Sequence, residues 1–235
     1  MITIIAGGPP ASGKTSILKH LILFLQRQQQ VPAVCKIDCI QSHDDTIYEQ
    51  LSIPVAQGLS ENICPDHYLA TNIIDIFQWG KDNLATHLCI ETAGLCNRCA
   101  PFINRAVNLC VIDCVSSIRG PEKLGPLVTT ADILVLTKTD QVSQAEREVF
   151  SYHLKELNPS ALLQEVNGLT GFGVQRLGQM IFQKGICVDS LEEDQLRYTM
   201  PSANCAYCVG EIRIGTAYQQ GMVNKMSFAK KEGIF

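Results

Sequence analysis

Short apolar runs and amphipathic stretches alternate along the whole chain. The apolar runs are rich in β-branched residues and predict strands that are buried on both faces of a sheet. Between them, residues such as Ile17, Leu21 and Leu25 recur at the spacing of one helix face, and a second amphipathic helix is predicted over Val174–Phe182. The predicted strands are Ile2–Ala6, Ala33–Ile37, Ala85–Ile90 and Asp132–Leu136.

This alternation predicts an α/β fold with a mostly parallel sheet between helical layers. After about Asp189 the sequence becomes polar and carries a proline, which predicts a linker, and Gly210–Gly215 is a short strand candidate beyond it. We therefore expect a main domain over residues 1–188 and a short cysteine-containing C-terminal extension over residues 189–235.

Composition narrows the classes of protein that fit. Hydrophobic residues make up 46% and charged residues 18% of the 235 positions, which supplies a core and excludes a disordered chain. The net charge of −4, without a basic block, argues against nucleic acid as a partner. No apolar stretch reaches about 18 residues, and the N-terminus lacks the features of a signal peptide. We therefore expect a cytoplasmic protein that does not interact with a membrane.

A glycine-rich loop follows the first predicted strand. Its sequence, G-P-P-A-S-G-K-T, fits the P-loop pattern and leads directly into the first predicted helix, so a three-layer P-loop NTPase fold is expected. In such a loop the backbone N–H groups surround the phosphates, Lys14 reaches the β- and γ-phosphate oxygens, and Thr15 binds Mg²⁺. The predicted phosphate-binding residues are Gly8, Pro9, Pro10, Ala11, Ser12, Gly13, Lys14, Thr15 and Ser16.

Acidic residues follow two other predicted strands. The segment E-T-A-G begins with Glu91 and ends with Gly94, and Asp38 follows the strand predicted to end one residue earlier. Because ligands collect at the carboxyl ends of parallel strands, both carboxylates are candidates for the Mg²⁺ shell or for orienting a water. Together with Lys14 they are the predicted catalytic residues. Gly94 would supply an N–H that senses the γ-phosphate. No arginine finger can be assigned, so slow hydrolysis is expected.

The tetrapeptide T-K-T-D, residues 137–140, follows the last of the predicted strands. The Asp140 carboxylate can accept hydrogen bonds from the ring N–H and the exocyclic amine of guanine, and the Lys138 stem can cover the base. Adenine lacks that pair of donors, so the expected cofactors are GTP and Mg²⁺. The segment Gln164–Gly173 is the predicted last base-contacting loop.

Eleven cysteines in a chain expected in the cytoplasm point to metal or redox chemistry rather than to a disulfide framework. Not all of them need a chemical role. Cys35, Cys89 and Cys110 lie within apolar runs and Cys187 has no partner near it in the sequence, so these four are predicted to be plain core residues.

Cys64 and His67 precede a predicted helix, with Pro65 suited to its first position. A cysteine and a histidine three positions apart can face the same way, and a helix N-terminus lowers the pKa of a thiol. Two ligands do not complete the shell of a transition metal, so a two-fold homodimer that supplies both residues twice is expected. A capping cysteine and a surface histidine are the alternative.

Two C-x-x-C pairs complete the set of candidate ligands. Cys96 and Cys99 closely follow Gly94, on a loop expected to move with the γ-phosphate. Cys205 and Cys208 lie in the C-terminal extension. Together the pairs have the ligand number for Zn²⁺ or an Fe–S cluster. Because they are far apart in the sequence, a thiol redox couple or a chance pairing is the alternative for each.

In this order, the P-loop, Cys64-Pro65-x-His67, E-T-A-G and T-K-T-D resemble SIMIBI-class GTPases that mature metalloenzymes. These are the urease and hydrogenase nickel-insertion proteins and the cobalamin-synthesis-type metallochaperones. The resemblance covers roughly residues 1–185, and the segment Arg119–Pro126 also resembles that family's loop before the guanine motif. It implies a GTP-dependent homodimer that hands a metal, Ni²⁺ or Zn²⁺, to a client metalloenzyme or its accessory proteins.

The chain also departs from the urease accessory proteins. Asp66 is inserted before His67, Thr137 replaces an asparagine, a histidine-rich tract is missing, and both C-x-x-C pairs are additional. A client other than urease is therefore expected. The alternative function is an NTP-driven Fe–S protein similar to the nitrogenase iron protein, although Lys138 and Asp140 favour GTP over ATP. A third hypothesis is a GTP-switched scaffold in which the cysteines bind structural Zn²⁺.

Overall fold

The protein is built on one sheet of seven parallel strands. A computed structural model describes residues 1–40, 45–94, 99–199, 210–219 and 223–228. The strands are β1 Ile2–Gly7, β2 Pro32–Asp38, β3 Val55–Leu59, β4 His87–Thr92, β5 Ala106–Asp113, β6 Ile133–Thr137 and β7 Leu162–Glu165. They lie in the order β3-β2-β4-β1-β5-β6-β7, and each neighbouring pair is parallel. The P-loop strand β1 is therefore at the centre.

Helices cover both faces of this sheet. Ile4 and Ile5 of β1 enter opposite hydrophobic clusters, which α1 and α7 complete on one side and α3 and α6 on the other. The three-layer α/β fold is thus confirmed. None of the described helices is long and apolar enough to span a membrane. The helices are α1 Lys14–Arg27, α2 Asp45–Glu49, α3 Pro65–Asp82, α4 Gly120–Lys123, α5 Pro126–Thr129, α6 Gln144–Leu157 and α7 Val174–Lys184.

Several element boundaries differ from those predicted. Strand β4 begins at His87 rather than at Ala85 and continues to Thr92, so that Glu91 is part of the strand. Strand β3 has no counterpart among the predicted strands, because it is an edge strand whose sequence, V-A-Q-G-L, lacks a continuous apolar run. Gln164 belongs to β7 rather than to the base-contacting loop.

The stretch after Asp189 is not a free linker as its polar composition predicted. Leu191 and Leu196 are buried against the main domain, at 1% and 5% exposure. The Arg197 guanidinium donates to the Asp132 carboxylate over 2.8 Å. Two buried leucines are enough for this packing. The polar composition of the stretch as a whole therefore wrongly predicted a linker.

The strand predicted over Gly210–Gly215 is reduced to a single bridge. Within the described residues, Arg213 forms one isolated antiparallel bridge with Gln195. Next to it, the Leu196 N–H donates to the Ile212 carbonyl over 2.8 Å. The two ends of the connection that carries the second C-x-x-C pair are therefore held side by side. A division of the chain at residue 188 stays a prediction.

The described part of residues 210–228, here called the C-terminal strap, lies across α3. The Gly215 N–H donates to the Ala70 carbonyl over 2.8 Å. Farther along, the Met226 N–H donates to the Asn72 side-chain oxygen over 2.9 Å. Ala70 and Asn72 lie in the first half of α3, so the strap braces this helix close to its N-terminus.

A buried histidine at the start of β4 links folding stability to pH. His87 is 3% exposed, and its Nε2 has no hydrogen-bond partner among the described residues. Burial, and then the nearby N-terminal charge, lower the pKa of His87 to about 4. Below its ordinary pKa of about 6.5, the unfolded chain therefore binds a proton that the folded protein excludes.

We expect this histidine to cost the protein about 2 kcal/mol of unfolding free energy between pH 7 and pH 5. His87→Gln should remove that part of the pH dependence, because other groups titrate equally in both proteins. Urea unfolding of both proteins at several pH values measures the difference. The control is His153→Gln, because His153 of α6 is a partly exposed histidine. Parallel pH profiles for the wild type and His87→Gln would contradict the expectation.

Candidate nucleotide and metal sites

The P-loop connects β1 to α1 in the conformation that its glycines require. Gly13, the N-cap of α1, has a left-handed φ of 96°. A Cβ at Gly8 would lie 2.1 Å from the Val111 carbonyl oxygen, so only glycine fits against β5 there. The Lys14 ammonium donates to the carbonyls of Gly8 and Pro9, over 3.0 and 2.8 Å. The lysine is thus held over the loop whose N–H groups would bind phosphate.

Lys14 lies in a strongly charged and largely closed environment. It is 6% exposed, and burial lowers its pKa, an effect that the nearby Glu91 carboxylate opposes. Lys36 is a second buried lysine of this region. It is 3% exposed and lies beside Glu91 in the register of β2 and β4. Its ammonium lies 3.7 Å from Asp38, the predicted catalytic residue at the end of β2. Sequence analysis missed Lys36, which lies inside an apolar run without a motif.

The Glu91 carboxylate, at the carboxyl end of β4, is fixed by two hydroxyl groups. Thr15 donates to Oε1 over 2.6 Å, and Tyr48 donates to Oε2 over 2.7 Å. Glu91 therefore contacts the same threonine hydroxyl that was predicted to bind Mg²⁺. Burial and the neighbouring carboxylate raise the pKa of Tyr48 well above its usual value, so its hydroxyl remains a donor. No sequence pattern indicated Tyr48, because α2 is too short to show the apolar period of a helix.

Gly94 lies directly against the P-loop. It has a φ of 67°, and a Cβ there would lie 1.7 Å from the Gly8 carbonyl oxygen. Only a glycine permits this approach. The segment after β4 and the phosphate-binding loop are therefore in backbone contact, as expected for a residue that senses the γ-phosphate. The role of its N–H stays a prediction.

The predicted guanine motif lies beside the P-loop at the end of β6. The Thr137 hydroxyl donates to the Ser12 carbonyl over 2.7 Å, so this residue joins the two motifs despite replacing an asparagine. Lys138 has a left-handed φ of 55°, and its ammonium lies 3.6 Å from Asp113. Asp113, at the end of β5, is a further polar residue of the site that the sequence analysis did not single out.

The loop between β7 and α7 completes the base site. The Asn167 amide donates to the Asp140 carboxylate over 3.3 Å. On the other side of this loop, His20 of α1 lies 3.1 Å from the Gly168 carbonyl, and Gly168 also approaches Ser16. The loop thus contacts both the guanine motif and the P-loop helix, which fits its predicted place around the base.

A second cluster lies where α3 begins. Cys64 is the N-cap of α3, with Pro65 at the first helical position as predicted. The ligand atoms of Cys64, Asp66 and Cys99 all lie within 4.8 Å of one another, and the Cys99 thiol donates to Asp66 over 3.3 Å. Among the described residues this is the group of three that could hold a metal ion.

The chemistry of Asp66 suits a cation site. The residue is 2% exposed, and its pKa is raised to about 8, first by burial and then by the neighbouring Cys64. A cation bound by the thiols would displace the proton and neutralise the buried charge. The hydrogen bond from Cys99, and then the positive charge of Lys14, oppose this rise of the Asp66 pKa. The sequence analysis treated Asp66 only as an insertion before His67.

The other predicted ligands are distributed differently. His67 is buried, with a pKa that burial lowers, and it is not one of the three clustered residues. Cys187 is exposed rather than in the core and accepts a hydrogen bond from the N-terminal amino group over 3.0 Å. Cys35, Cys89 and Cys110 are buried as predicted. The predicted ligands outside the described residues are Cys96, Cys205 and Cys208.

Known proteins are similar to this chain over most of its length. An uncharacterized protein of Methanocaldococcus jannaschii, MJ0120, is 44% identical over 99% of this chain and 100% of its own. The hydrogenase maturation factor HypB from Archaeoglobus fulgidus is similar with a TM-score of 0.62 and 17% identity, over 78% of this chain and 89% of that one. HypB from Helicobacter pylori in complex with nickel is similar with a TM-score of 0.64 and 17% identity, over 78% of this chain and 86% of that one.

A family match supports the same assignment from the sequence side. Residues 2–164 match the family described as "CobW/HypB/UreG, nucleotide-binding domain". The match spans all of the predicted motifs up to T-K-T-D and leaves out α7 and the C-terminal extension. The resemblance drawn from those motifs is confirmed. The chain therefore belongs to the CobW/HypB/UreG family of P-loop nucleotide-binding proteins, in the SIMIBI class.

Proposed function

We propose that this protein is a GTP-hydrolysing metallochaperone that uses nucleotide-driven changes in a homodimer to deliver a metal ion to a client metalloenzyme. One observation carries the proposal. Cys99, a member of the metal cluster, lies five positions after Gly94, whose backbone touches the P-loop at Gly8. A movement of the P-loop on binding or losing a γ-phosphate would therefore reach a metal ligand through a few residues of backbone.

The nucleotide part of the proposal rests on the arrangement of known chemical groups. Lys14 would bind the β- and γ-phosphates, Thr15 would ligate Mg²⁺, and Glu91 would orient that ion or the attacking water. Lys138 and Asp140 would bind guanine, because a carboxylate can accept hydrogen bonds from the ring N–H and the exocyclic amine of that base. The Asn167 amide donates to the Asp140 carboxylate and would hold it in place. Mg²⁺ would lower the barrier by neutralising charge on the phosphates.

The metal part rests on the donors at the start of α3. Two thiols and one carboxylate are a suitable set for Zn²⁺ or Ni²⁺, and three ligands leave a position open for transfer. The cluster lies at the N-terminus of a helix, where thiolates are favoured. The metal is cargo in this scheme. A partner subunit or His67, as predicted, would complete the coordination at some stage of delivery.

Three further cysteines are proposed as ligands that receive or pass on the metal. Phe102 lies three positions after Cys99. Its carbonyl accepts a hydrogen bond from the Arg197 N–H over 2.8 Å. The connection that carries the second C-x-x-C pair therefore starts close to the metal cluster. The proposed additional thiol ligands, all outside the described residues, are Cys96, Cys205 and Cys208.

The alternative of a cluster-bearing electron donor is not favoured. The family to which the chain belongs is one of nucleotide-binding metallochaperone type. In addition, the described cluster contains a carboxylate beside its two thiols, whereas Fe–S clusters are held mainly by cysteine thiolates.

The test of this function is the coupling between metal and nucleotide. We expect saturating Zn²⁺ or Ni²⁺ to change the affinity for a non-hydrolysable GTP analogue by about 5- to 150-fold, because coupled sites typically differ by that factor. The nucleotide should change the metal affinity by the same factor. Titration calorimetry in both directions measures it, with the ATP analogue as the specificity control. Equal GTP affinities with and without metal would remove the proposal.

A further inference from the structure

Tyr48 is a fully buried tyrosine that lies beside the phosphate site. It lies on the short helix α2 and is fully buried, in the same hydrophobic cluster as Ile17 and Leu21 of α1. Its ring thus lies in the core on the α1 face of the sheet, while its hydroxyl donates to Glu91 over 2.7 Å. Packing fixes the ring, so the position of the hydroxyl is fixed as well.

The two oxygens of Glu91 are given different tasks by this arrangement. Oε1 accepts from Thr15, the predicted Mg²⁺ ligand, and Oε2 accepts from Tyr48. A carboxylate held at one oxygen cannot rotate freely about its last bond, so the other oxygen stays directed at the threonine. Groups that hold a metal-site ligand in this way commonly change metal affinity or activity by about 10- to 100-fold when removed.

We propose that Tyr48 is a positioning residue for Mg²⁺-dependent nucleotide chemistry, acting through Glu91. The proposal rests on the proposed function, because it assumes that Thr15 and Glu91 serve a bound Mg²⁺–nucleotide. It makes α2 a part of the phosphate site, although that helix carries no motif and precedes Glu91 by more than forty residues. Tyr48 itself touches neither the nucleotide nor the metal in this scheme.

The variant Tyr48→Phe removes only the hydroxyl and keeps the ring in the core. We expect two Mg²⁺ concentrations to rise about 10- to 100-fold in this variant: the one that half-saturates GTP hydrolysis, and the one that half-saturates the gain in GDP affinity that Mg²⁺ produces. The affinity for a fluorescent GDP measured in EDTA should stay within about twofold. A purely structural role would change the GDP affinity in EDTA together with the Mg²⁺ dependence, or would change neither. The two measurements therefore separate a positioning role from a structural one.

The chain offers a matched control. Tyr152, on the exposed face of α6, donates to Glu156 over the same 2.7 Å but lies outside the site. Tyr152→Phe should leave the Mg²⁺ dependence unchanged. Thermal unfolding of both variants checks that each remains folded.

A double-mutant cycle with Glu91→Ala completes the test. If Tyr48 acts through Glu91, then Tyr48→Phe should have no further effect on Mg²⁺ dependence in the Glu91→Ala background. A wild-type Mg²⁺ response in Tyr48→Phe, or a full additional loss in the double variant, would overturn this inference alone. A wild-type protein that binds no nucleotide, or binds it without regard to Mg²⁺, would overturn the proposed function and the inference together.

Discussion

Lys14→Ala should reduce nucleotide hydrolysis by at least about 100-fold, because removing one group that stabilises transition-state charge commonly costs that much. The ammonium donates to the carbonyls of Gly8 and Pro9, which holds it against the P-loop. Alanine would leave the negative charge that develops on the transferred phosphoryl group without its nearest fixed cation. Phosphate release under saturating Mg²⁺–GTP is the measurement.

The control for this prediction is Lys19→Ala, because Lys19 lies on the same helix but outside the loop. Circular dichroism should show that Lys14→Ala remains folded, since the substitution removes a buried charge rather than an apolar side chain. Full hydrolytic activity in Lys14→Ala would show that the loop is not a phosphate site in this protein.

Cys99→Ala should weaken Zn²⁺ or Ni²⁺ binding by more than about 100-fold, because loss of an outer-shell partner alone can cost up to that factor. Cys99 is buried and contributes one of the three ligand atoms in the cluster at the start of α3. Its thiol also donates to the Asp66 carboxylate, so its loss leaves that carboxyl without its partner. Metal affinity is measured by competition with a chromophoric chelator.

Two comparisons make this second prediction sharp. Cys187→Ala removes an exposed thiol remote from the cluster and should leave metal affinity unchanged. Asp66→Asn should weaken binding strongly if the carboxylate is a ligand, whereas His67→Ala should do so if the sequence-based pairing with Cys64 is right. Unaltered metal affinity in both Cys99→Ala and Asp66→Asn would refute the assigned cluster.

The nucleotide site was largely predictable from the sequence, whereas the metal cluster was only partly so. Lys14, Thr15 and Glu91 lie in local motifs at strand ends, and parallel strands bring such ends to one edge of a sheet. Their joint position therefore follows from topology. In contrast, the cluster joins Asp66 to a cysteine 33 positions away, and spacing within C-P-D-H favoured His67 instead.

The site residues that the sequence did not reveal lie beside Glu91 in space but far from it along the chain. Tyr48 meets Glu91 because its ring lies in the hydrophobic cluster on the α1 face of the sheet. Its five-residue helix is too short to show an apolar period. Lys36 looked like an isolated charge in an apolar strand, although its register places it beside Glu91. Side-chain positions of this kind depend on packing, which one sequence without its partners in space does not specify.

The C-terminal strap ties the helix that begins with Cys64 to the rest of the molecule. It holds α3 at Ala70 and Asn72, and the Cys35 thiol of β2 donates to the Met226 sulfur of the strap over 3.9 Å. The strap lies outside residues 2–164, the part of the chain that matches the family. The proposed metal ligand Cys64 is therefore supported by a segment that does not belong to the family's nucleotide-binding domain.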